Sequence, residues 1–106
     1  MLRFATRDAQ KGWADLVATA PNASVAAWEF LAETPTAEDG RVCYRLAGRL
    51  GRWRVDGQER DRWQCKPTGG GRIWYAVVPA TGKIRGVVFL ERVSTGHPNE
   101  TIKRHR

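Results

Sequence analysis

The first third of the chain carries hydrophobic residues at helical spacing. Before them, a short alternation over Leu2 to Thr6 predicts an opening strand, and Thr6 or Asp8 is placed to cap a helix. Apolar residues then recur at intervals of three and four in two sets: Trp13, Leu16, Val17 and Ala20, then Val25, Trp28, Leu31 and Ala32. Pro21 separates the sets and Pro35 ends the second. The pattern predicts an antiparallel helix pair with both tryptophans in the core.

The period changes from helical to alternating after a polar loop from Thr34 to Gly40. Five alternating segments follow: Val42 to Ala47, Arg52 to Arg60, Arg62 to Lys66, Arg72 to Val78 and Ile84 to Val93. The pair Asp56-Gly57 predicts a tight hairpin within the second of them. This order predicts an α+β fold, with an N-terminal strand and a two-helix hairpin packed on an antiparallel meander sheet. We expect one domain over residues 1–106, with 95–106 as a flexible tail.

A glycine-rich turn joins two of these strands and has basic residues on both sides. Thr68 to Gly71 links the strand ending at Lys66 to the strand beginning at Arg72. The guanidinium of Arg72 would present a planar set of donors that matches phosphate oxygens, and the ammonium of Lys66 would add a second positive charge nearby. The turn is therefore a candidate phosphate site. The alternative is that Arg72 pairs with a carboxylate across the sheet, such as Glu91 or Glu59.

Charge is distributed unevenly along the 106 residues, whose net charge is +7. Residues 1–40 contain three basic and six acidic side chains, for a net charge of −3, whereas residues 41–106 contain fifteen and five, for +10. Such asymmetry is typical of a surface that faces nucleic acid or another polyanion. A solvated arginine-rich surface is the alternative explanation.

Several other classes of protein are disfavoured. No apolar run reaches the roughly 18 residues of a membrane span, and the charged amino terminus does not resemble a secretory signal, so we expect a cytoplasmic protein without a membrane partner. Cys43 and Cys65 are then expected to be reduced, partly buried thiols. Their spacing from His97 and His105 lacks the paired character of a zinc site, and we expect no metal or cofactor.

His97 is a candidate for proton transfer, since its ordinary pKa near 6.5 lies close to neutrality. It follows a glycine at the end of the last predicted strand, where it can reach the sheet rim. Glu100 or Glu59 could orient it or act as a base, and spacing does not choose between them. An exposed histidine without a role is the alternative.

Three segments resemble the RelE/ParE superfamily of bacterial toxins from type II toxin–antitoxin modules. They are Tyr44 to Leu50 after the helices, Arg72 to Tyr75 with its arginine followed by apolar and aromatic residues, and Thr95 to His97 at the end of the last strand. The order of elements over nearly the whole chain is also similar. Two departures are the Arg62, Gln64, Lys66 series, where many nucleases of the family have two alternating lysines, and the lack of an aromatic residue after Phe89.

The resemblance implies a ribosome-dependent mRNA endoribonuclease that inhibits translation and is held inactive by a cognate antitoxin, with the ribosome and mRNA as partners. Catalytic roles are implied for Arg72 at the scissile phosphate, for Lys66 beside it and for His97 in proton transfer. We expect seven residues to bind RNA: Arg45, Arg49, Arg62, Lys66, Arg72, Lys103 and Arg104. A gyrase-binding toxin of the ParE type and a basic nucleic-acid-binding module without catalytic activity are the alternatives.

Overall fold

A computed structural model describes residues 1–37 and 42–96. Its strands are β1 (Leu2–Phe4), β2 (Cys43–Arg45), β3 (Arg52–Val55), β4 (Gln58–Asp61), β5 (Trp63–Cys65), β6 (Arg72–Val78) and β7 (Val87–Ser94). The helices are α1 (Arg7–Thr19) and α2 (Pro21–Glu33), and a single 3-10 turn spans Gly48–Gly51. The predicted α+β fold with its helical hairpin is thereby confirmed. Within the described ranges, neither helix is long and apolar enough to cross a bilayer.

The ends of the helices follow from local sequence. Thr6 caps α1, since its hydroxyl oxygen accepts a hydrogen bond of 2.9 Å from the amide of Ala9. Pro21 was predicted to separate the helices, but it is the first residue of α2. A proline is tolerated there because the first turn of a helix has no internal acceptor for its missing N–H. The two helices are therefore joined by Ala20 alone.

The helices bury a narrower stripe than predicted. The side of α1 against the sheet contains Ala9, Gly12 and Leu16, and Gly12 lies so close that a β-carbon there would overlap the carbonyl oxygen of Val93. Trp13 is partly buried and packs against the core, as predicted, whereas Trp28 is 38% exposed, so its assignment to the core was wrong. The two tryptophan rings contact each other, with their centres 5.2 Å apart. Val17 and Val25 are also exposed.

The main sheet has five strands in the order β1, β7, β6, β5, β2. Adjacent strands of this sheet are antiparallel, except that β1 runs parallel to β7. The helical hairpin between β1 and the later strands supplies the long connection that a parallel strand requires. A β-bulge in β7, opposite Trp74 and Tyr75 of β6, shifts the register. Trp74 pairs with Arg92, whereas Tyr75 pairs with Leu90.

The β3–β4 hairpin forms a separate two-stranded sheet and is not part of the main one. Asp56 and Gly57 form its turn with φ angles of +55° and +77°. Two consecutive left-handed residues are the geometry of the tight hairpin that Asp-Gly predicts. The backbone of Arg62 connects β4 to β5 and donates to the carbonyl of Gly51.

The two faces of the main sheet have different surroundings. The helices pack on the face that carries the buried side chains of Cys43, Trp63, Cys65, Ile73, Tyr75, Leu90 and Val93. Because side chains alternate along a strand, the intervening residues project to the other face. We call it the open face and define it by Tyr44, Arg62, Gln64, Lys66, Arg72, Trp74, Glu91 and Arg92.

Candidate nucleic-acid interface on the open face

A row of polar and aromatic side chains crosses four strands of the open face. Tyr44, Gln64, Trp74 and Arg92 are direct neighbours in the registers of β2, β5, β6 and β7. The Gln64 side chain joins the two rings: its amide nitrogen donates to the Tyr44 hydroxyl at 2.5 Å, and its amide oxygen accepts from the Trp74 indole nitrogen at 2.8 Å. These two hydrogen bonds link the rings across β2, β5 and β6.

Basic side chains lie against both rings of this row. The guanidinium carbons of Arg62 and Arg92 are 5.0 and 5.6 Å from the centre of the Trp74 ring, and the Lys66 ammonium is 5.2 Å from the centre of Tyr44. These distances are within the range of cation–π attraction. The charged groups themselves therefore approach the rings.

Arg62 is neutralised by a nearly buried ion pair. Its guanidinium donates to both carboxylate oxygens of Glu91, at 2.8 and 2.7 Å, and to the carbonyl of Leu50 at 3.2 Å. The Arg62 and Glu91 side chains are only 13% and 18% exposed. Glu91 is the extra residue of β7 at the bulge, since its neighbours Leu90 and Arg92 face Tyr75 and Trp74. Arg62 therefore holds β5 to β7 and brings little net charge to the open face.

Arg72 braces the glycine-rich turn and pairs with no carboxylate of residues 1–37 and 42–96. One terminal nitrogen of its guanidinium donates to the carbonyls of Gly69 and Gly71 at 3.0 and 2.7 Å. Of the two proposed acidic partners, Glu91 binds Arg62, and Glu59 lies 3.9 Å from Arg52. An arginine guanidinium has five N–H donors. Two of those of Arg72 bind the glycine carbonyls, and the other three have no hydrogen-bond partner within residues 1–37 and 42–96.

Close packing holds the turn in place. The amide of Gly71 donates to the Thr68 hydroxyl at 2.8 Å. Gly96, after the last strand, has a φ of +73°, and a β-carbon there would lie 2.6 Å from the carbonyl oxygen of Gly70. Both the left-handed backbone and this approach require glycine at position 96. The turn that carries Arg72 is therefore fastened to the end of β7.

The structure brings together only some of the predicted site residues. Lys66 and Arg72 flank the turn on the open face, as predicted. Arg45 faces Trp63 in the register and so projects to the helix side, where it lies 3.4 Å from Asp61. Arg49 is exposed in the 3-10 turn. The remaining predicted residues, His97, Lys103 and Arg104, and the carboxylate Glu100 lie outside the described residues.

Sequence reasoning missed Arg92, Gln64 and Trp74 as members of the site. The signal for Trp74 and Gln64 was available, since each lies two positions from Arg72 or Lys66 on an alternating strand. Arg92 carries no such signal, because the bulge before it changes which side chains of β7 reach the open face.

The open face combines uncompensated positive charge with fixed rings. Lys66, Arg72 and Arg92 have no carboxylate partner in the part of the chain that the structure describes, whereas Arg52 is 2.7 Å from Asp61. Phosphate oxygens suit such cations. Across the described ranges, no group of three or more His, Cys, Asp or Glu side chains is arranged to hold a metal ion.

Comparison with known proteins gives a structural match alone. No protein-family model matches the sequence, and no curated protein does. Among solved structures, a YoeB/ParE toxin from Agrobacterium tumefaciens superposes with a TM-score of 0.61 at 16% identity, covering 88% of this chain and 94% of the toxin. At that identity the likeness establishes a common fold, and the predicted RelE/ParE-like architecture is confirmed.

Proposed function

We propose that this chain is the toxin of a type II toxin–antitoxin module and that its open face cuts ribosome-bound mRNA. The observation that carries the proposal is the set of three cations, Lys66, Arg72 and Arg92, which have no carboxylate partner in the described ranges and lie on the face opposite the helices. The shared fold with a YoeB/ParE toxin supports the toxin assignment. The net charge of +10 in residues 41–106 supports a polyanionic substrate.

The proposed reaction is attack of a ribose 2′-hydroxyl on the neighbouring phosphate. Negative charge grows on the phosphate oxygens in the transition state, and fixed cations stabilise that charge. Arg72 suits this role because bonds to Gly69 and Gly71 hold its guanidinium, while its other three donors meet no acceptor in the described part of the chain. Lys66 and Arg92 contribute additional positive charge on the same face.

Proton transfer is proposed for His97, whose ordinary pKa near 6.5 suits it to that step. Glu91, the carboxylate that defines one side of the open face, is held by Arg62 through two hydrogen bonds. Both of its oxygens are therefore engaged by Arg62 and not by a ribose hydroxyl. Tyr44 has a phenol on the same face, but its oxygen accepts a hydrogen bond from Gln64.

An antitoxin that inhibits this toxin would cover the open face. An acidic segment, unstructured before binding, would match the charge of Lys66, Arg72 and Arg92 and shield the Trp74 ring. The same segment would exclude mRNA from those cations. Inhibition and substrate binding would then be mutually exclusive.

The test is cleavage of message on purified ribosomes, read by primer extension, with growth arrest on induction as the cellular readout. We expect Arg72→Ala to lower the cleavage rate by about a hundredfold, as removal of one fixed transition-state donor commonly does. The matched control is Arg7→Ala, which removes an equal charge from the exposed side of α1. Equal cleavage by the two variants, with both folded by circular dichroism, would refute the role of Arg72.

A gyrase-binding toxin is the second candidate. The observation that favours it is that Glu91, which could serve as a base, is bound to Arg62. Such a toxin would leave ribosome-bound mRNA intact, while its induction would produce DNA breaks. Measuring message cleavage and DNA breaks in the same induced culture separates the two functions.

A further inference from the structure

The two cysteines form a directly opposed pair in the main sheet. Cys43 of the edge strand β2 and Cys65 of β5 are register partners, and their sulfur atoms are 2.6 Å apart. Both are nearly fully buried, at 4% and 3% exposure, on the helix side. They were expected to be reduced, partly buried thiols; in the structure both are buried and no disulfide joins them. Their direct contact was not expected from the sequence.

The backbone geometry of this pair suits a disulfide. The amide of Lys66 donates to the carbonyl of Val42, and the amide of Leu46 donates to the carbonyl of Arg62. These bonds flank Cys43 and Cys65 without joining them, which defines a non-hydrogen-bonded pair of an antiparallel ladder. In such pairs the α-carbons lie about 4.5 Å apart, within the range that disulfides span.

We propose that Cys43 and Cys65 form a reversible cross-strand disulfide when the chain meets an oxidising low-molecular-weight disulfide such as glutathione disulfide. One cysteine thiolate attacks the glutathione disulfide, which forms a mixed disulfide and releases one glutathione. The other thiolate then attacks the cysteine sulfur of the mixed disulfide and releases the second glutathione. Two protein thiols are oxidised, one glutathione disulfide is reduced, and the two thiol protons end on the released glutathione molecules.

Access to the buried thiols comes from the position of β2. This strand has three residues, lies at the edge of the main sheet and pairs there with β5. Short edge strands open locally at a lower free energy than central strands do. Opening of β2 would expose both sulfur atoms to the reagent, and closing would return them to contact.

The bond would also fix one end of the open face. Tyr44 lies between Cys43 and Arg45 on β2, and its ring contacts Gln64 and Lys66. A covalent link between β2 and β5 would keep Tyr44 over these two residues when the rest of β2 opens. This chemistry does not depend on whether the open face binds RNA.

The experiment equilibrates the full chain in glutathione buffers from reducing to oxidising, then denatures it in acid and alkylates free thiols with N-ethylmaleimide. In the oxidising buffers we expect intact-mass spectrometry to show a chain that carries no N-ethylmaleimide. Its mass should be lower than that of the reduced, unalkylated chain by two hydrogen atoms. The oxidised form should melt about 10 °C higher, because the bond closes a loop in the unfolded chain. Dithiothreitol should restore both alkylations and the lower Tm.

Cys43→Ser and Cys65→Ser are the controls, because neither variant can form the bond within the chain. The remaining thiol of each should be alkylated or should carry a single glutathione. The most oxidising buffer is also tested with urea, below the concentration of the unfolding midpoint, so that β2 can open. If both thiols are still alkylated under that condition, the inference is overturned. Stable glutathione adducts or disulfide-linked dimers of the unmutated chain would also overturn it. These outcomes are read on the unmutated chain and so do not require the variants to fold.

Discussion

The two faces of the main sheet cover their large side chains in different ways. On the helix side, Ile73 and Tyr75 are fully buried beneath α1 and α2. On the open face, the adjacent Trp74 is only half-buried and is covered by the side chains of Arg62 and Arg92. Charged side chains thus replace a helical layer. Arg62 is neutralised by Glu91, so it is Arg92 that both shields an apolar ring and leaves positive charge on this face.

This division predicts that the helix side determines stability and the open face determines binding. Neighbouring residues of one strand can test it, because they share a backbone and differ only in the face to which they project.

The largest effect is expected from a cavity on the helix side. Leu90→Ala should lower the free energy of unfolding by about 3 kcal/mol, because Leu90 is 1% exposed and truncation leaves a void. Its neighbour Phe89 faces Ala76 on the other side of the sheet and is only partly buried, so Phe89→Ala should cost about 1 kcal/mol. Urea denaturation of the two variants measures the difference. Equal losses would show that the faces do not differ in their contribution to stability.

An intermediate effect is expected at the Arg62–Glu91 pair, the place where the open face also contributes to stability. Glu91→Gln should destabilise the fold by about 2 kcal/mol, because it leaves the nearly buried Arg62 without its counter-charge. The control is Asp61→Asn, which breaks the exposed pair with Arg52 and should cost less than about 1 kcal/mol. Thermal melts at low and high salt compare them, and only the Asp61 variant should lose its deficit as salt rises. If Asp61→Asn were the more damaging change, the assignment of Arg62 to structure would fail.

The smallest effect is expected from single charges at the periphery of the site. Lys66→Ala should reduce by about one the slope of log K against log salt for binding to single-stranded RNA, since one phosphate contact is lost. Arg45→Ala should leave the slope unchanged, because Arg45 projects to the helix side and lies near Asp61. Fluorescence anisotropy over a salt series measures both slopes. A larger change in slope for Arg45→Ala than for Lys66→Ala would show that RNA binds on the helix side and not on the open face.

The sequence predicted most of the local structure. Alternation and helical spacing predicted the strands and the helix pair, and Asp56-Gly57 predicted the hairpin turn. Thr6 or Asp8 was predicted to cap α1, and the structure has Thr6 as the cap. These features depend on residues within a few positions of one another, so the signal survives in the sequence. The burial of Trp28 was misjudged, because the depth of a helix face depends on how closely the two helices and the sheet approach one another, as at Gly12 of α1 against β7.

By itself, then, the sequence determined the order of elements, their turns and the placement of basic residues in the second part of the chain. Only the tertiary structure decided that Glu91 binds Arg62 and not Arg72, and that Cys43 meets Cys65. These partners are 22 to 29 residues apart in the chain. Their meeting depends on strand register and on a bulge in β6–β7 pairing, which are set when the whole sheet assembles and leave no local period to read.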